Sequence, residues 1–121
     1  MKKCLVVDDS TTIRKAILMI LRSFEFDFQE AENGKIALDV CYDAMPDVII
    51  LDWNMPVMTG IEFLEEMRRL PDGDIPKVIF CTTNTEMEHV QEALQKGADE
   101  YIMKPFTREI IQDKLEILGI L

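Results

Sequence analysis

The stretch VIILDWNMPVMTG, residues 48–60, opens on four apolar residues and then sets Asp52 directly before the only tryptophan of the chain. A run that is apolar at every position does not alternate between an inside and an outside. It reads as a strand covered on both faces, with a carboxylate at its tip that burial alone does not explain.

Outward from there, similar short runs recur at CLVV (4–7), VIF (78–80) and YIM (101–103), with a weaker one at FDFQEA (26–31). Between them the period becomes that of a helix. Ile13, Ala16, Ile17, Ile20, Leu21 and Phe24 keep one face apolar, Ala37, Val40, Cys41 and Ala44 repeat the pattern, and so do Val90, Ala93, Leu94 and Gly97. TEME at 85–88 fits a capping box with Thr85 at the N-cap and Glu88 three residues on, and Gly97 suits a C-terminal cap. Strands alternating with helices imply right-handed crossovers and a parallel sheet. The expected fold class is α/β: a five-stranded parallel sheet with helices on both faces. The 121 residues suffice for one core and are too few for two, so a single domain over 1–121 is expected.

Composition removes several function classes. With 23 acidic against 13 basic residues the net charge is -10, which repels a phosphate backbone and argues against nucleic-acid binding. Cys4, Cys41 and Cys81 are an odd number without close spacing, and two of them lie in apolar runs. They read as reduced core residues, and the expected location is the cytoplasm. Two lysines followed by four apolar residues do not make a signal peptide, and no apolar run approaches the roughly 20 residues of a membrane span. PDGDIP at 71–76 is loop-sized, with no tail, repeat or low-complexity segment, so no effector domain is expected. The partner should be a protein or a small molecule.

In an open α/β sheet, function gathers outside the carboxyl ends of the strands. The first run ends in Asp8 and Asp9, the third in Asp52, the fourth is followed by Thr82 and Thr83, and the fifth ends in Lys104-Pro105. Singly, each has a plain explanation: Asp9 or Ser10 can cap the helix starting near Thr11, Lys104 can be a solvated charge, and Thr82 a strand-end hydroxyl. Jointly they describe one site. Three carboxylates at one edge repel each other unless a cation lies among them, and oxygen ligands without His or Cys favour a hard ion such as Mg²⁺. An ammonium and a hydroxyl suit the remaining oxygens of a phosphoryl group. Without a Ser-His or Cys-His pairing, the candidate nucleophile is a carboxylate, as in aspartyl-phosphate chemistry. Spacing does not say which aspartate attacks.

LVVDDS, ILDWNMPVMTG, CTT and YIMKPF, in this order and at these separations, resemble a response-regulator receiver domain of the CheY-like, single-domain kind across essentially the whole chain. The resemblance implies strand order 2-1-3-4-5, of which that family is a standard example. It implies that Asp52 receives a phosphoryl group from a histidine kinase or phosphotransfer protein. Asp8 and Asp9 match the acidic pair that holds Mg²⁺, Asp9 and Asp52 being favoured as direct ligands with the backbone carbonyl of Asn54. Lys104 matches the lysine that pairs with the phosphoryl group, and Pro105 follows it where the family usually has a cis peptide bond. Thr82 matches the hydroxyl that moves to the phosphoryl oxygen, and Tyr101 the aromatic that swings inward with it. Gly60 ends the loop after the phosphorylation site. A monomer is expected, signalling to a downstream protein through helix 4, strand 5 and helix 5.

One departure stands out: Thr83 replaces the Ala or Gly that many receivers have after the switch threonine, and its bulk would narrow access to the phosphoryl group. Asn54 and Asn84 match positions that tune how water reaches the phosphoaspartate. DWNMP leans toward chemotaxis and motor control, against a phosphorelay intermediate, a kinase regulator or a constitutive docking module. A flavin carrier would want a neutral glycine- and hydroxyl-rich first loop, and an aspartate-dependent phosphatase an Asp-x-Asp pattern, where this chain has DDS. His89, the only histidine, reads as exposed or partner-facing. Met55, Met58, Met67, Met87 and Met103 read as packing, and Phe106 as a packing anchor or part of the output surface.

Overall fold

A computed structural model describes residues 1–83 and 88–121. The elements follow in the order β1 (Lys2–Val7), α1 (Thr11–Leu21), β2 (Phe26–Ala31), α2 (Gly34–Asp43), β3 (Val48–Asp52), α3 (Gly60–Arg68), β4 (Lys77–Thr82), α4 (Val90–Lys96), β5 (Glu100–Met103) and α5 (Arg108–Ile117). All five expected strands form, in the order β2-β1-β3-β4-β5, and every pairing is parallel.

The apolar runs build two cores, one on each face of the sheet. Leu5, Val7, Ile49, Leu51, Val78 and Phe80 face α2, α3 and α4, which supply Ala37, Cys41, Phe63, Leu64, Met67 and Ala93. Cys4, Val6, Val48, Ile50, Ile79 and Ile102 face α1 and α5 through Ile17, Leu21, Ile111 and Leu115. Every residue of the central strand β3 is buried, which is why it reads as continuously apolar. β2, an edge strand, alternates, and its sequence signal is correspondingly weaker.

Four helices start on a side-chain cap: Ser10, Asn33, Thr59 and Thr107 accept the backbone N–H of Ile13, Ile36, Glu62 and Ile110. Ser10, and not Asp9, therefore caps α1, which leaves the Asp9 carboxylate for another task. Gly97 closes α4 at φ 122. Thr85 of the expected capping box, Asn84 and Met87 lie outside the described residues. At the amino ends of the strands Arg68 donates to the carbonyls of Gly73, Pro76 and Gly97 and to Asp99, closing that end of the sheet. Cys4, Cys41 and Cys81 are buried and free, and burial pushes each thiol up to about 12, so none is poised as a thiolate nucleophile. No helix among the described residues is long and apolar enough to cross a membrane.

Candidate phosphoacceptor and metal site

The sheet order makes β1 and β3 neighbours, with Val7 opposite Leu51. The next residues in each strand are Asp8 and Asp52, so register alone brings these two carboxylates together. β4 lies on the far side of β3 with Cys81 opposite Asp52, which sets Thr82 one step beyond. β5 completes the row, Met103 opposite Thr82, and delivers Lys104, whose N–H donates to the Thr82 carbonyl at 2.7 Å. The Lys104-Pro105 peptide is cis, as the family resemblance implies.

Carboxylate oxygens of Asp8, Asp9 and Asp52 all lie within 4.8 Å of one another. Asp8 and Asp52 are buried, at 2% and 6% exposure, and Asp9 is exposed. The Lys104 ammonium donates to Asp52 Oδ1 at 2.7 Å and reaches Asp8 Oδ2 at 3.5 Å. Burial alone would lower the Lys104 pKa. The Asp52 hydrogen bond and the charges of Asp52 and Asp8 outweigh it and hold the ammonium above its ordinary range. Asp8 is further fixed by Ser10 N–H at its Oδ1, 2.9 Å, and by its own N–H donating to Ala31 at 3.1 Å.

One ammonium does not neutralise three carboxylates. Ion-pair bookkeeping leaves the cluster two charges negative, and the Asp9 carboxylate has no protein donor among the described residues. A purely oxygen donor set carrying that excess fits a hard divalent cation. The cluster opens into a cavity of about 530 Å³ walled by Asp8, Asp9, Asp52, Asn54 and Lys104 with Ser10, Ile13 and Trp53, wide enough to admit a phosphoryl group.

Five of the sequence-derived positions, Asp8, Asp9, Asp52, Asn54 and Lys104, thus meet at one cavity. Thr82 lies fully buried beside it, its hydroxyl donating to the Thr83 carbonyl at 3.2 Å. Tyr101 sits outside the cavity, opposite Phe80, half-buried against the core, with the Lys114 ammonium 5.1 Å from its ring centroid. Thr83 lies at the rim of an adjoining apolar groove of about 380 Å³ that includes Ile13, Ile20 and Phe106. Gly60 does more than end a loop. Its N–H donates to the Trp53 carbonyl, and a Cβ there would overlap the Asp52 carbonyl oxygen, so the close approach of α3 to the site requires a residue without a side chain.

Sequence reasoning missed two features. His89 is half-buried and not free: its ring stacks on Trp53 at 4.1 Å between centroids, 23° between planes, because the start of α4 lies against the loop after β3. Arg14, beside the expected apolar stripe of α1 and not part of it, is buried and donates to the Asp8 carbonyl at 2.6 Å. The His89 stack depends on a residue distant in sequence, and the Arg14 contact on the aim of a backbone carbonyl six residues back, which residue identity does not show.

A family model described as the response regulator receiver domain matches residues 4–116. The chain is 36% identical over 121 residues to chemotaxis protein CheY of Pseudomonas aeruginosa, covering 94% of this chain and 93% of that one. Among solved structures, CheY4 of Vibrio cholerae superposes with a TM-score of 0.88 at 37% identity, covering 97% and 98% of the two chains. The receiver domain of a sensor histidine kinase of Pseudomonas aeruginosa, described with a magnesium ion coordinated in its active-site cleft, superposes at 0.87 with 27% identity over 96% and 95%.

Proposed function

Because the chain belongs to the response regulator receiver domain family of two-component signalling, we propose that it is a phosphoacceptor whose Asp52 takes a phosphoryl group from a histidine kinase or a phosphotransfer protein. The observation that carries this reading is the Asp52–Lys104 contact at 2.7 Å inside a cluster of three carboxylates. An Asp52 carboxylate oxygen attacks phosphorus, the P–N bond to the donor imidazole breaks as the P–O bond forms, and the departing imidazole takes a proton from solvent. Asp8, Asp9, Asp52 and the Asn54 carbonyl would hold Mg²⁺, which when bound supplies charge against the negative oxygens of the transferring group. Lys104 holds the Asp52 carboxylate in place beforehand through their 2.7 Å contact and pairs with a phosphoryl oxygen afterwards. The chain catalyses only its own transfer and hydrolysis, and Thr83 and the asparagines Asn54 and Asn84 tune how water reaches the product.

Phosphorylation adds nearly two negative charges and strong acceptors at one point. Thr82, now bonded to the Thr83 carbonyl, turns toward them and vacates space that Tyr101 fills, which repacks α4, β5 and α5. Leu94, Met103 and Ile110, one on each of these elements, are exposed and offer apolar side chains to a protein partner. Two pre-existing arrangements are biased, and a partner that prefers one shifts the population further. Full-length similarity to chemotaxis proteins favours flagellar motor control as the output over phosphorelay.

The test uses Trp53, unique in the chain and adjacent to Asp52. Its fluorescence should respond to Mg²⁺ and then to a small phosphodonor or beryllofluoride in the wild type, with no donor response in Asp52→Asn. A wild type that gives neither a donor response nor a phosphoprotein by mass overturns the reading.

A further inference from the structure

The Arg14 guanidinium is shared among three segments: Nη1 donates to the Asp8 carbonyl at 2.6 Å, Nη2 to Thr11 Oγ1 at 3.2 Å, and Nε to Glu30 Oε1 on β2 at 3.1 Å. The carbonyl it holds belongs to the peptide unit joining Asp8 to Asp9. That unit is planar, so fixing its oxygen fixes the direction in which the chain enters Asp9. Asp9 itself is exposed, and its carboxylate has no protein donor among the described residues. Its placement therefore comes from its backbone, and the backbone is held by Arg14.

We propose that Arg14 is a positioning residue for the cation site: it orients the Asp8–Asp9 peptide so that both carboxylates face Asp52, while Glu30 offsets its charge toward the cation. The inference rests on reading the aspartate cluster as a divalent-cation site. A bare guanidinium so near would oppose a divalent cation. The direct ion pair with Glu30 at 3.1 Å offsets part of that opposition, the same carboxylate also pairing with Lys15 at 2.9 Å. Glu30 is available for this at neutral pH, since the hydrogen bond from Lys15, followed by Arg14, holds its carboxyl below the usual range despite partial burial. The arrangement matches the general behaviour of groups that orient metal ligands from behind.

The two roles open to Arg14 predict opposite signs. If it acted through charge alone, removing it would tighten Mg²⁺ binding. If it positions the peptide, removal loosens binding by about 10-fold, the lower end of what outer-shell partners contribute. Mg²⁺ alone is titrated into wild type, Arg14→Ala, Arg14→Lys and Glu30→Gln, read by calorimetry and Trp53 fluorescence, with thermal unfolding followed in parallel. Arg14→Ala should bind about 10-fold more weakly, Arg14→Lys should recover part of the loss, and Glu30→Gln should weaken binding through the unpaired guanidinium. Where Arg14→Ala does not fold, the other two variants carry the test. Unchanged or tighter Mg²⁺ binding in the folded variants, with the wild type binding normally, overturns this inference alone. A wild type that binds no Mg²⁺ overturns the site reading and this inference with it.

Discussion

Replacing Asp9 by Asn should stabilise the metal-free protein while removing its response to Mg²⁺. Asp9 lies with Asp8 and Asp52 inside a 4.8 Å cluster and is exposed, so each repulsion is worth about 0.9 kcal/mol at that distance in the dielectric of water. Two repulsions are lost, and attraction to the Lys104 ammonium offsets about one, leaving a gain of about 1 kcal/mol. No hydrogen bond among the described residues is lost with the Asp9 carboxylate, so nothing of that kind opposes the gain. Urea denaturation followed by circular dichroism would read the difference, which corresponds to about 4 °C in midpoint temperature for a chain of this size. With Mg²⁺ the ranking reverses. Free metal at ten times its dissociation constant stabilises the wild type by about 1.4 kcal/mol, and Asp9→Asn should gain little. An Asp9→Asn protein less stable than wild type without metal, or one that keeps the full Mg²⁺ stabilisation, would refute the reasoning.

Further outcomes follow from the same geometry. Gly60→Ala should cost about 2 kcal/mol through overpacking and weaken Mg²⁺ binding, since the added Cβ meets the Asp52 carbonyl; equal stability by denaturation would show that α3 can shift freely. Val57, 81% exposed, has φ 71, a left-handed conformation that a β-branched residue disfavours. Val57→Asn should therefore raise stability by about 1 kcal/mol, and a loss would place the strain elsewhere. The raised Lys104 pKa makes its contribution to folding fully present below the ordinary value of 10.5 and lost as pH rises through the higher folded value. The stability gap between wild type and Lys104→Met should hold from neutral pH to about 10 and shrink above it; a gap that closes below pH 9 would contradict the ion pair. Thr83→Ala should speed both phosphorylation by small donors and loss of the phosphoryl group, and unchanged rates would remove Thr83 from the access path.

The strands were legible because a parallel sheet covered on both faces leaves its strands apolar throughout, as in Val48–Leu51, and β2 was the faintest because an edge strand alternates. The carboxyl-edge rule puts Asp8, Asp52 and Lys104 at one edge, and the structure brings the three side chains into contact there. The stripe on α1 misled in part: Ile17, Leu21 and Phe24 are buried, but Ile13 is 38% exposed. Periodicity gives a face and not its depth, and at Ile13 the neighbouring wall is the groove beside Pro105 and Phe106. Arg14 was illegible for a different reason. A charged residue is buried only when partners satisfy it, and here they are a carboxylate on β2 together with the nearby Asp8 carbonyl and Thr11 hydroxyl, whose aim residue identity does not show.

The Lys104 ammonium reaches back 52 positions to Asp52 and 96 to Asp8. Its strand is an edge strand that pairs with β4 alone, and β4 links it to β3, so the ammonium reaches the carboxylates only when the β3-β4-β5 side of the sheet is in place. A chain still emerging from the ribosome, or one clipped ahead of β5, carries the acidic strand ends without their cation. On the proposed function, such a chain would lack the cation that pairs with the phosphoryl group. On the same reading, with α4, β5 and α5 as the transmitting face, competence to receive a phosphoryl group would require that face to be assembled first, since β5 serves both.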